Sequence, residues 1–179
     1  MIIKILIGLI VLLLVMVVVV ALRPSDFRVS RSITISAPPE VVFPQVNDFH
    51  RWEAWSPWAK LDPNAKNSFS GPDAGVGAAF AWSGNNQVGA GRMNITESRP
   101  GELILINLEF ERPMKGTNLT EFTFRPDGNQ TIVTWTMTGK NNFMAKAFSL
   151  FVNCDKMVGG QFEKGLSQMK SLSEATAKK

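Results

Sequence analysis

Few side chains here could do acid–base chemistry. Asp48, His50 and Glu97 are the candidates for a general acid or base, and His50 is the only histidine in the 179 residues. A lone imidazole excludes a two-histidine metal site and leaves little scope for a Ser-His-Asp triad. The single Cys154 excludes an internal disulfide and offers no zinc spacing. It falls in an apolar helical stretch, where a buried, inert thiol is expected. No metal and no cofactor is therefore expected. Asp48 stands just before a short helix and reads first as its N-cap. By alternation Glu97 shares a face with Met93 and Ile95, and Arg31 shares one with Ile33 and Ile35. A charge on an apolar face must be paired, at a rim, or functional.

A second group of residues suits binding rather than turnover. Trp52, Trp55 and Trp58 crowd around Pro57, each with a large apolar body and one N–H donor. They read either as a core plug or as the wall of a ligand cavity. Asn118 and Thr120 could orient a ligand carbonyl or hydroxyl, or could equally satisfy backbone groups.

The elements that must position these residues are legible in the periodicity. Residues 27–36 alternate as a strand, and Ala37-Pro38-Pro39-Glu40 opens a helix with proline at its first position. A second short helix runs from Phe49 to Ala54. Residues 61–77 are rich in Pro, Asn, Gly and Asp and read as loop, with room for a short strand near Phe69. Hairpins follow: Val76, Ala78, Phe80 and Trp82 alternate, then Met93, Ile95 and Glu97, then Ile104, Ile106, Leu108 and Phe110. Asn118, Thr120, Phe122 and Phe124 share the next face, and Val133, Trp135 and Met137 the last. Turn signals between these segments predict an antiparallel meander with one face covered. The cover is assigned to the C-terminal segment. Asn141 or Asn142 caps a helix bearing Phe143, Ala147, Phe148, Leu150 and Phe151. A longer helix follows, with Val158, Phe162, Leu166, Met169 and Leu172 on one side. Gly159, Gly160 and Gly165 are costly in a helix and point to close packing or to room beneath it. The fold class is α+β, a helix on a curved sheet.

Ahead of this domain, Ile5 to Leu22 is an uncharged apolar run about 27 Å long as a helix, near the roughly 30 Å core of a bilayer. It exceeds the apolar core of an ordinary signal peptide, so an uncleaved single-pass anchor over residues 1–23 is expected, with processing after Val19-Val20-Ala21 as the alternative. Lys4 on one flank and Arg23, Arg28 and Arg31 on the other leave its orientation open. Residues 24–27 are a short linker, 28–175 the domain, and 176–179 a disordered tail. The net charge of +4 is dispersed, which argues against nucleic acid and is compatible with anionic lipid headgroups. The Asn-x-Thr triplets at Asn94, Asn118 and Asn129 are chance sequons in or beside strands.

With these elements in order, the chain resembles the START-like (SRPBCC) superfamily of helix-grip folds, and within it the bacterial polyketide cyclase/dehydrase and lipid transport group. The resemblance spans Arg28 to Ala175. It rests on Ser32 through Phe43, Asp48 through Trp58, Gly75-Val76-Gly77 before Phe80-Ala81-Trp82, Gly89 to Glu97, Trp135 to Gly139, and Phe162 to Leu166. It implies a seven-stranded antiparallel sheet gripping a long C-terminal helix, with a cavity between them for lipids, polyketides or other apolar ligands. Trp55 and Trp58 would border its mouth. Phe80, Trp82 and Met93 would line one side, with Ile106, Leu108, Asn118, Thr120, Phe122 and Phe124 on the middle strands. Trp135, Met137, Phe162, Leu166 and Met169 would complete it. No catalytic motif carries over.

Three readings follow. The first is a membrane-anchored module binding a hydrophobic small molecule or lipid, in a bacterial cell membrane. The second is an interaction module that kept the fold and lost the cavity. The third is a cyclase- or dehydratase-type enzyme using Glu97, Asp48 or His50. Neither the ligand nor the oligomeric state is legible.

Overall fold

Seven antiparallel strands form one curved sheet, and the last helix lies across its inner face. The structure, a computed structural model, describes residues 2–178. Helix α1 (Ile2–Leu22) leads into β1 (Asp26–Ile35), and α2 (Pro39–Asn47) and a 3₁₀ turn (Phe49–Ala54) follow. The strands β2 (Lys66–Ser70), β3 (Ala79–Ser83), β4 (Ala90–Arg99), β5 (Leu103–Arg112), β6 (Gly116–Asp127) and β7 (Gln130–Lys140) come next. Two helices close the chain, α3 (Phe143–Phe148) and α4 (Cys154–Ala177). Strand order is β1-β7-β6-β5-β4-β3-β2, a meander whose final strand returns to pair with the first.

Alternation decides which face each side chain meets. Val29, Arg31, Ile33 and Ile35 of β1 stand beside Met137, Trp135, Val133 and Thr131 of β7. Phe124, Phe122 and Thr120 of β6 continue the inner face, and Ile104, Ile106 and Leu108 of β5 extend it. Phe162, Leu166 and Met169 of α4 are buried against this surface. Gly165 lets the helix come close, since a Cβ there would sit 3.0 Å from Pro57 and 3.1 Å from the Trp135 ring.

Ion pairs fasten α4 at both ends. Arg31, at the edge of the inner face, donates to Glu163 at 2.7 Å and to Asp155 at 3.0 Å. Its guanidinium lies where a side chain on Gly159 would be, so glycine is required for this approach. At the other end Glu174 accepts the Ser36 backbone N–H at 2.7 Å and the Lys170 ammonium at 2.6 Å. Arg31 holds the Asp155 carboxyl below its ordinary value through that hydrogen bond. Lys170, and then the Ser36 N–H, do the same for Glu174. A depressed carboxyl contributes stability above its unfolded value and loses it as pH falls through the folded one. The melting temperature is therefore expected to fall from about pH 4 downward. That acid loss should be smaller in an Arg31→Met/Lys170→Met double variant, measured by circular dichroism against pH. Both pairs are solvent-screened, so the effect is modest.

Four sequence expectations change. Val76 is not part of the β3 alternation. Gly75 and Gly77 adopt positive φ, so 75–78 is a turn that leaves Val76 exposed. Glu97 does not share the Met93 and Ile95 face. The chain bulges between Ile95, opposite Ile106, and Glu97, opposite Leu105. One extra residue reverses the facing, and Glu97 pairs instead with Arg99 at 3.1 Å. Helix α3, although Asn142 caps it as expected, contributes no buried residue and covers none of the core. Finally, α4 runs to Ala177, so the expected tail from 176 is still helical there; its last residue lies outside those described.

Candidate functional site

The inner face is sealed at one end and loosely covered at the other. At the far end, where β1 finishes, Ile35, Ile95, Ile104, Phe124 and Val133 are buried beneath Val42 and Phe43 of α2. In the middle, Trp135 is sandwiched between Phe162 at 4.0 Å and Phe122 at 4.8 Å, both stacked. Trp52, Trp55 and Trp58 meet Trp135 edge-on at 6.3, 5.7 and 5.8 Å. Toward the α1 end of the sheet the cover thins. Phe27, Trp82, Leu108, Phe110 and Asn118 are only half-buried there.

The three tryptophans divide along this gradient. The Trp52 indole donates to the Val46 carbonyl at 3.0 Å and Trp55 to the Gln45 carbonyl at 2.8 Å. These bonds pin both rings to α2. Trp55 is fully buried and belongs to the core plug, not to a mouth. Trp58 stays half-buried, with its ring edge-on to Phe162 at 6.4 Å. Ser56 stays buried and Pro57 packs against Gly165 of α4, so the segment between the two rings remains at the core while only Trp58 reaches its margin.

At the open end, glycines shape the floor. The Trp82 ring lies over Gly91 and the Asn118 amide over Gly139, positions where any Cβ would collide with them. Asn118 also points its amide nitrogen at the Met137 sulfur, 3.9 Å away. Met93, opposite Phe80 and Leu108, supplies a second flexible thioether. Between this end and the sealed core sit two buried polar atoms with no protein partner, Thr120 Oγ1 and Trp135 Nε1. Thr120 stands opposite Met137, and Trp135 lies two residues along the same strand. An unpaired buried donor or acceptor costs about 1–3 kcal/mol, so two neighbours on one face call for an account. A third, Ser173 Oγ, belongs to the distant end of α4.

Of the other expected site residues, Phe122, Phe124, Ile106, Leu166 and Met169 are packed core, while Phe80, Trp82, Met93, Leu108, Asn118 and Met137 gather toward the open end. Asp48 caps the 3₁₀ turn, accepting the His50 backbone N–H at 2.9 Å. Its carboxylate also meets the His50 ring at 2.9 Å and Arg51 at 3.4 Å. His50 stacks on Phe69 at 4.1 Å beside a hollow of about 210 Å³ lined by Ser70, Gly71, Pro72 and Asp73. A larger, open hollow of about 670 Å³ occupies the outer face, over Arg28, Asn107, Leu119, Thr138 and Lys140. Sequence reading missed it, because alternation marks that face as merely polar. Thr120 and Trp135 were both expected to line the cavity, but that their polar atoms lack partners could not be read from sequence, since orphaned atoms are defined by neighbours that only the fold supplies. Among the described residues no cluster of metal-binding side chains exists.

Residues 26–174 match the family model described as polyketide cyclase / dehydrase and lipid transport. None of the curated proteins matches the chain in sequence. Solved structures match in fold. A protein from Chromobacterium violaceum is similar with 20% identity and a TM-score of 0.58, over 85% of this chain and 99% of that one. A Mesorhizobium loti protein matches at 17% identity and TM-score 0.62, over 84% and 98% of the two chains. One from Mycobacterium smegmatis matches at 18% and 0.55, over 83% and 92%. At such identities these likenesses define the fold alone.

Proposed function

The chain belongs to the polyketide cyclase/dehydrase and lipid transport family, and from that premise we propose that it binds a hydrophobic small molecule or lipid. The ligand enters at the α1 end of the inner face, its apolar body between Trp82, Leu108, Met137 and Trp58. Its polar group reaches Thr120 and Trp135. The observation that carries this reading is the pair of unpartnered atoms, Thr120 Oγ1 and Trp135 Nε1, buried next to a half-open apolar surface. A hydroxyl can donate or accept and an indole N–H can only donate, so together they suit a carbonyl or hydroxyl oxygen. We propose further that α1, the one described helix long and apolar enough to cross a membrane, is an anchor that keeps residues 28–175 beside the bilayer.

The decisive variant is Thr120→Val, which is isosteric and removes only the hydroxyl. It is expected to leave the ligand-free protein equally or more stable, because an unsatisfied buried group disappears. It should weaken binding of an apolar fluorophore bearing a carbonyl by about fivefold, the worth of roughly one hydrogen bond. Fluorescence titration of the full chain in detergent reads the affinity, and a thermal melt reads the stability. Unchanged affinity in both Thr120→Val and Trp135→Phe would sink the proposal.

A further inference from the structure

We infer that residues 143–151, helix α3 and the turn after it, are a membrane-docking element that enters the headgroup region of an anionic bilayer beside α1. This rests on reading α1 as a membrane-spanning helix. Helix α3 is capped and regular, yet none of its residues is buried. Its large side chains face outward instead. Phe143 is 47% exposed, Met144 65%, Phe148 48% and Phe151 80%. Four exposed large apolar side chains within nine residues are more than a soluble surface commonly carries in so short a segment.

Its place in the fold says what covers it. Helix α3 packs against α1, and the Lys146 ammonium reaches the Ala21 carbonyl at 3.5 Å. Val20 is the one buried residue of α1. A helix of 21 residues is about 31 Å long, matching a hydrocarbon core of roughly 30 Å. Val20 lies two residues from its end, about 3 Å along the axis. The α3 contact therefore falls where acyl chains give way to headgroups, the depth at which an amphipathic segment buries its apolar side. The charge agrees. Lys146 lies within the segment, Lys140 and Lys156 flank it and Arg23 follows α1. Asp26 stands beside Lys140, but no acidic residue occurs between Lys140 and Cys154. Asp155, the first one after it, is already paired with Arg31. An apolar segment flanked by cations in this way is complementary to phosphatidylglycerol-type headgroups.

The consequence is orientation. Asp26 of β1 pairs with Lys140 of β7, three residues before α3, at the loosely covered end of the inner face. Docking α3 therefore holds that end toward the bilayer. A lipid or other apolar ligand could then pass between membrane and protein with little exposure to water.

Single-cysteine variants of the full chain, made in a Cys154→Ser background and carrying nitroxide labels, test this. The probes sit at Met144, Phe148 and Phe151, with Leu12 as a reference inside α1. Asn129, in the exposed β6–β7 turn at the opposite end of the sheet, is the aqueous reference. The protein is placed in phosphatidylcholine vesicles containing phosphatidylglycerol, and collisions with oxygen are compared with those of a water-soluble nickel chelate. Positions 144, 148 and 151 are expected to favour oxygen, at a depth shallower than Leu12, while Asn129 favours nickel. Two outcomes overturn the inference while leaving the anchor intact: nickel access equal to that at Asn129, or shielding from both reagents, as a second copy of the chain would produce. Nickel access at Leu12 would overturn the anchor reading itself, and the inference with it.

Discussion

Replacing Trp135 with alanine is expected to destabilise the domain by about 3–5 kcal/mol, the usual cost of emptying an aromatic site in a packed core. Trp135 is the centre of the aromatic assembly. Phe162 stacks on one side and Phe122 on the other, and all three indoles of the 52–58 segment meet it edge-on. It joins the sheet, α4 and the tryptophan segment, so no single neighbour can collapse into the vacancy. For a chain of this size the loss corresponds to a melting temperature lower by roughly 6–20 °C, read by circular dichroism in detergent. Trp135→Phe keeps a stacking ring and removes the unpartnered N–H, and should cost clearly less than the alanine variant because the cavity it leaves is smaller. If the alanine variant melts within a degree or two of the parent, this ring is not what holds α4 to the sheet.

Gly89→Ala should be nearly as damaging, for a backbone reason. Gly89 has φ of +65°, a left-handed conformation that costs any other L-residue about 1–2 kcal/mol. Its Cβ would also overlap the backbone carbonyl of Arg112, which cannot swing aside as a side chain could. Relief requires opening the start of β4 from the end of β5, where Ala90 pairs with Arg112. The combined loss is expected to be about 2–4 kcal/mol, measurable as a lower urea midpoint with an unchanged slope. Gly128, also at positive φ but with open space around it, provides the control. Alanine there should cost only the conformational part.

These two sites illustrate how differently the sequence spoke about them. The alternation through Val133, Trp135 and Met137 is enough to put the tryptophan on the covered face, because a strand has no choice but to send alternate side chains to opposite sides. Nothing local says that Phe122 and Phe162 will flank it. The same holds for Gly89. The residues Ser83-Gly84-Asn85-Asn86 before it announce a turn, but neither the positive φ of Gly89 nor the Arg112 carbonyl beside it can be read from them.

Most strand positions, the Asp48 and Asn142 caps and the strand–helix–meander–helix order were legible, because period, turn chemistry and caps act over a few residues. That order sufficed for the fold class and for the family resemblance. Three features of the candidate site were decided only in three dimensions. The bulge after Ile95 turned Glu97 outward, since one inserted residue reverses a period of two without altering composition. The tryptophan segment split into a buried Trp52 and Trp55 and a half-open Trp58, because only the approach of α2 offered the Val46 and Gln45 carbonyls as partners. The apolar run 143–151 reads as core by spacing alone, yet its helix α3 contributes no buried residue and lies against α1. Sequence determined which residues are apolar and how they repeat. Whether an apolar face meets the core, a ligand or a bilayer depends on which surfaces remain uncovered once the chain is packed, and that was decided by tertiary structure.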